Sequence, residues 1–158
     1  ATTGNATDFG NLSSSRLELA GVSSNTRGVF AGGSSTNIIE YITISTTGNA
    51  TDFGDLSSTR NALTGVDNNV RGCFGGGSSS TNIIEYITIA TTGNVTDFGD
   101  LTVGRSPLGG VHSTVRGCFG GGSGGNVIDY ITIDTTGNAT DFGDLTVARG
   151  SLAGMQGT

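Results

Sequence analysis

The phrase T-T-G-N-x-T-D-F-G fills residues 2–10, 46–54, 91–99 and 135–143, at steps of 44, 45 and 44 residues. Self-similarity at such a period restricts a chain to repeat architectures. One unit cannot bury its apolar surface alone and has to be covered by its neighbours. Two further phrases keep the same step. RGVF at 27–30 returns as RGCF at 71–74 and 116–119, and NIIEYITI at 37–44 returns at 82–89 and as NVIDYITI at 126–133. Counted from the first Arg, full units run 16–59, 60–104 and 105–148 inside a single repeat domain, 1–158. Residues 1–15 form the tail of a preceding unit and 149–158 the head of a following one. The chain opens in mid-phrase at Ala1, without the basic, apolar and small-residue succession of a signal peptide. The expectation is a piece of something longer, or a chain that polymerises through its ends.

Each unit holds four short extended stretches, LAGV (19–22), RGVFAGG (27–33), NIIEYITI (37–44) and the weaker TDFGDL (51–56), with Gly, Ser and Asn clusters between them. Helix is nearly excluded, because Gly, Thr, Ser and Asn supply 82 of the 158 residues. Leu, Ile, Val and Phe supply 37, enough for a modest core. In the third stretch Ile38, Ile42 and Ile44 share one face and Ile39 and Tyr41 the other, so both faces are apolar. A sandwich with one wet face would alternate more cleanly. Four strands in this length, covered on both sides, match the blade of a β-propeller. The alternative is a β-solenoid of two coils per unit, against which the two halves of the unit share no pattern.

These residues carry a resemblance. A double Gly after an apolar strand (Gly32–Gly33, Gly76–Gly77, Gly121–Gly122), followed by a strand with a Tyr (Tyr41, Tyr86, Tyr130), resembles the kelch repeat. The chain has no Trp at the kelch Trp position, and Phe9, Phe53, Phe98 and Phe142 are the aromatic residues nearest in role. The wording YITI-x-TTGNATDFGDL…R…RGVF-x-GG is similar to repeat arrays in structural and tail-fibre proteins of marine and cyanobacterial tailed phages. That resemblance covers essentially the whole chain. It implies a virion or extracellular location, with copies of itself, other virion proteins or a host surface glycan as partners, and it implies no catalytic residues.

The charges are locked to the repeat. All seven cations are Arg, in two series: Arg16, Arg60, Arg105 and Arg149, then Arg27, Arg71 and Arg116. Ten of the thirteen acids are also locked, among them Asp52, Asp55, Glu85, Asp97, Asp100, Asp141 and Asp144. A solvated surface does not need its charges in register, and Arg offers a planar fork for carboxylates and carbonyls. The expected arrangement is an Arg–acid lattice stitching unit to unit, with anionic-glycan binding as the functional alternative. The Asp pairs of TDFGD could offer oxygen ligands to Ca²⁺, but the loop lacks the dense acid spacing of a calcium loop. No metal or cofactor is therefore assigned. A glycosidase needs one unique carboxylate pair, whereas this pair recurs, so the expectation is no enzyme.

Cys73 and Cys118 share a position with Val29, which suggests small buried apolar sites holding free thiols. His112 shares a position with Ser23 and Asp67, and no catalytic triad is expected from it. Asn5, Asn49, Asn94 and Asn138 read as turn residues of G-N-x-T. Copies differ at 34–36, 78–81 and 123–125 and just before the second Arg, where binding loops would be sought. These loops have almost no aromatics, so a sugar there would rely on hydrogen bonds. The net charge of −6 with no basic patch argues against nucleic acid. No apolar run approaches the ~20 residues of a membrane span.

Overall fold

The computed structural model describes residues 4–123 and 125–155. The outermost residues of the two partial units, 1–3 and 156–158, and Gly124 in the third variable segment lie outside them. Among the described residues, twelve strands form three four-stranded antiparallel sheets. The first sheet is β1 (Ala20–Ser23), β2 (Arg27–Ala31), β3 (Ile38–Thr43) and β4 (Thr51–Asp55). The second is β5 (Thr64–Asp67), β6 (Arg71–Gly75), β7 (Ile83–Thr88) and β8 (Thr96–Asp100). The third is β9 (Gly109–His112), β10 (Arg116–Gly120), β11 (Val127–Thr132) and β12 (Thr140–Asp144). In each sheet the strands pair in chain order, and each sheet lies within one repeat unit. Outside the strands, Ser78–Ser80 make a short 3-10 turn, and among the described residues no helix is long and apolar enough to cross a membrane.

Local chemistry explains the hairpins. At the first turn a side-chain acceptor caps the backbone N–H of the second Arg. Ser24 Oγ accepts from Arg27 at 3.1 Å, Asn68 Oδ1 from Arg71 at 2.8 Å and Ser113 Oγ from Arg116 at 3.2 Å. The segment varies in sequence, yet it always supplies this short polar side chain. The third and fourth strands share one irregularity. The register shifts between Ile39 and Glu40, Ile84 and Glu85, and Ile128 and Asp129. Opposite the shift stand Gly54, Gly99 and Gly143 at φ 147°, 142° and 137°, which a side chain adopts only with strain.

The core lies between sheets. Val22, Val29, Ile39 and Phe53 of the first sheet pack with Phe74, Ile87 and Ile89 of the second. Val66, Cys73, Ile84 and Phe98 repeat that contact with Phe119, Ile131 and Ile133. The sheets come closest along β1, β5 and β9. Here the Gly of R-G-x-F is a packing site. A Cβ on Gly72 would lie 2.5 Å from Val22 Cγ2, and one on Gly117 2.5 Å from Val66 Cγ2. Phe53 and Phe98 are 2% exposed and their counterpart Phe142 56%. The difference arises because the first two have a whole sheet stacked on them and the third does not. The preceding partial unit covers part of the first sheet, Gly48 and Ala50 donating to the carbonyls of Phe9 at 2.7 Å and Asn11 at 2.9 Å.

Candidate functional site

Three of the first Arg series, Arg16, Arg60 and Arg105, are buried and charge-paired. Arg60 Nη1 donates to the carbonyls of Gly76 at 3.1 Å and Ile83 at 3.2 Å, and its Nη2 donates to Glu85. Arg16 makes the same set with Gly32, Ile38 and Glu40. Arg105 meets Val127, Phe119 and Asp129, the last at 2.7 Å. Burial pushes the Arg60 and Arg105 guanidinium pKa values down, and Glu85 and Asp129 oppose that shift. Each Arg thus closes the gap between the second and third strands of its own sheet. Its backbone reaches the previous unit, since Gly33 N donates to Arg60 O at 2.8 Å and Arg60 N to Thr36 O at 3.1 Å.

The second series works without a carboxylate. Arg27, Arg71 and Arg116 lie over the rings of Tyr41, Tyr86 and Tyr130, at 4.4, 4.2 and 4.4 Å from the centroids. Nη1 of Arg27 and of Arg71 donates to Ile89 O and Ile133 O of the following unit, each at 3.0 Å. Arg27 and Arg71 thus link units through carbonyls. Arg149 is exposed and makes no salt bridge among the described residues; its carbonyl accepts from Gly122 N at 3.0 Å.

The expected acid partners need correction. Glu85 is one, but Glu40 and Asp129 complete the set, and Asp52, Asp55, Asp97, Asp100, Asp141 and Asp144 form no salt bridge among the described residues. The reason is strand position. Glu40, Glu85 and Asp129 sit on the inner strands β3, β7 and β11, beside the carbonyls that the Arg also needs. The TDFGD acids sit on β4, β8 and β12 at the sheet edge, where Asp52, Asp97 and Asp141 are exposed. Asp141 Oδ1 accepts from Gly143 N at 3.0 Å within its own strand.

Sequence reasoning missed the Asn clip. Asn94 Oδ1 accepts from Asp55 N, Asn138 Oδ1 from Asp100 N and Asn49 Oδ1 from Asn11 N, all at 3.0 Å. The turn Asn therefore fastens each unit to the one before it, beside the backbone bonds from Gly93 N to Phe53 O at 2.7 Å and from Val95 N to Asp55 O at 3.0 Å. Its strict recurrence in the repeat was the available signal. Asn94→Ala is expected to cost about 1 kcal/mol, read as a shift in denaturant midpoint, while Asn94→Asp keeps the acceptor and stays near the parent.

Beside each clip opens a groove. One of about 310 Å³ is bordered by Phe53, Tyr86, Thr88, Thr91, Thr92 and Asn94. The next, of about 300 Å³, repeats it with Phe98, Tyr130, Thr132, Thr135, Thr136 and Asn138. A third, of about 280 Å³, has Tyr41, Thr43, Thr46, Thr47 and Asn49 but no Phe wall. The grooves lie in the constant T-T-G-N hairpins and not in the variable segments.

Another row runs along β1, β5 and β9, at the opposite edge of each sheet from the TDFGD acids. Ser23, Asp67 and His112 hold the same repeat position, so stacking the units brings them together. Asp67 is buried, accepts from Ser23 N at 2.8 Å through Oδ2 and from Asn69 N at 3.2 Å through Oδ1, and has His112 Nε2 at 3.6 Å from Oδ1. The carboxylate stands between the serine and the imidazole, so this row does not make the serine–histidine contact that activates a nucleophile. Cys73 and Cys118 are free, the first buried and the second half-buried. Burial pushes the Cys73 thiol up to about 12, with Arg71 opposing, and it also raises that of Cys118, with Arg116 opposing. Neither is an activated thiolate. No protein-family model matches the chain, and no curated protein matches it.

Proposed function

We propose that the chain is a structural repeat protein of a virion, in the manner of a tail fibre, acting as a scaffold or display surface without catalysis, metal or cofactor. The observation that carries the scaffold reading is where the repeat-locked polar groups go. Arg16, Arg60 and Arg105 are consumed inside their units, and Arg27, Arg71 and the Asn clips are consumed between units. A repeat that commits its arginines and turn asparagines to its own sheets and stacking is built for length and shape. The virion setting rests on the resemblance of the YITI-x-TTGNATDFGDL wording to phage structural arrays. The finer fold assigned here is a kelch-like propeller. Four-stranded meanders that draw together along β1, β5 and β9 and carry the core between their faces support it.

A second reading, recognition of a host surface glycan, is favoured by the groove that recurs in all three units. The virion assignment is tested by immunogold electron microscopy of tailed-phage particles whose genome encodes the chain. Label on the tail or its fibres is the expected result. Intact particles that carry the protein nowhere would overturn it.

A further inference from the structure

We propose that each T-T-G-N hairpin groove takes one neutral sugar residue, and that successive units present these sites in register to a neutral glycan. This deepens the glycan-recognition reading and rests on it.

Several side chains of the hairpin are not used by the fold. Among the described residues, the threonine hydroxyls bonded within the protein are those of Thr26, Thr36, Thr81 and Thr102. Those of Thr88, Thr91, Thr92 and Thr96 border the groove and are left for a ligand. A tight turn does not ask for two consecutive Thr, since Gly, Asn, Asp and Ser serve it better. Other positions drift between copies, Val29 to Cys73 and Ser45 to Ala90 and Asp134, yet T-T-G-N stands unchanged four times.

The Asn amide is oriented as well. Its Oδ1 is held by the N–H of the preceding unit, at 3.0 Å for Asn94. Both Nδ2 hydrogens are then left to donate at the groove. The half-buried Tyr86 supplies aromatic carbon with the edge of the buried Phe53 behind it, and Tyr86 is kept rigid by meeting Phe98 edge-on at 6.0 Å and by Arg71 covering it. Hydroxyl and amide groups beside aromatic carbon suit the mixed polar and C–H surface of a pyranose.

Charge and size narrow the class. No Asp, Glu, Arg or His borders these grooves, and the chain carries a net charge of −6, which repels anionic sugars. At about 300 Å³ each groove stands at the lower end of the range for ligand clefts, the size for one residue of a chain. The first unit lacks the Phe wall, so its site is the weakest of the three. Single sites of this kind bind weakly, and an array gains by the effective concentration of linked sites.

The test uses the whole ¹⁵N-labelled chain, titrated with the methyl glycosides of glucose and galactose and with N-acetylglucosamine, then with dextran, a neutral galactan and hyaluronate. The expected result is backbone shift changes centred on Thr88–Thr96 and Thr132–Thr140 and smaller ones at Thr43–Thr51. A neutral polymer should bind at least about tenfold more tightly per residue than its monosaccharide. The fourfold variant Thr91→Val, Thr92→Val, Thr135→Val and Thr136→Val should lose about tenfold in polymer affinity with an unchanged melting curve. Thr92→Ser, which keeps the hydroxyl, should bind like the parent and so separates lost contact from lost fold. Saccharide shifts centred elsewhere would overturn these sites and leave glycan recognition standing. No shift with any of these saccharides overturns both, and a preference for hyaluronate overturns the neutral class.

Discussion

Arg60→Ala should lower the stability of the chain by about 3–5 kcal/mol, because it leaves the buried Glu85 charge without its counter-ion and the Gly76 carbonyl without a donor. Against the ~5–15 kcal/mol that usually holds a domain together, such a loss is a large fraction and should show as a clear drop in urea midpoint. Glu85→Ala should cost a similar amount, for the guanidinium is then the stranded charge. The double variant should be milder than the sum of the two, since no charge is left alone. Arg60→Lys should recover little, as one ammonium cannot meet the carboxylate and both carbonyls in the geometry of the planar fork. Arg71→Ala provides the contrast. It removes a stack on Tyr86 and one carbonyl bond but strands no carboxylate, and about 1–2 kcal/mol is expected. Equal midpoints for Arg60→Ala and the parent would show that the buried pair contributes nothing to the sheet.

Gly99→Ala and Gly143→Ala should part company although they occupy the same repeat position. Both residues hold a positive φ, at 142° and 137°, so both variants bear the backbone strain of a side chain there, about 1–3 kcal/mol. At Gly99 the added Cβ would also lie 2.5 Å from the Gly137 carbonyl of the next unit, whereas at Gly143 nothing stands within 4 Å. Overpacking against backbone adds about another 1–3 kcal/mol. The difference between the two midpoints measures how tightly one unit is pressed on the next. If the two variants melt together, the close approach of successive units is not a feature of the protein in solution.

The sequence was most informative about what repeats. The period, the four extended stretches and their chain order could all be read, because strand patterns and Gly/Asn punctuation are local properties. LAGV at 19–22 became β1 at Ala20–Ser23, and NIIEYITI at 37–44 became β3 at Ile38–Thr43, each displaced by a residue at its ends. The apolar residues on both faces of that strand reflected neighbours on both sides, as Ile84 and Ile87 in the middle sheet confirm by their burial. The equivalence of Ser23, Asp67 and His112 was also legible. That equivalence means adjacency in a stack, and only the fold turns residues 44 or 45 apart into a contact across Asp67.

Partner choice belonged to the tertiary structure. Asp52 and Glu40 are both acids, both locked to the repeat, and directly opposite one another on neighbouring strands. Nothing in their spacing says which one Arg16 takes. The decision comes from burial, since the inner strand is dry beside the carbonyls of Gly32 and Ile38, and only the carboxylate placed there can neutralise a guanidinium that those carbonyls already hold. The edge acid keeps its water, where an ion pair contributes little. The Asn clip and the grooves follow the same logic. T-T-G-N specifies a turn by itself, but the N–H that Asn94 accepts from and the Phe53 wall beside it belong to the unit before, so they exist only once the units are stacked.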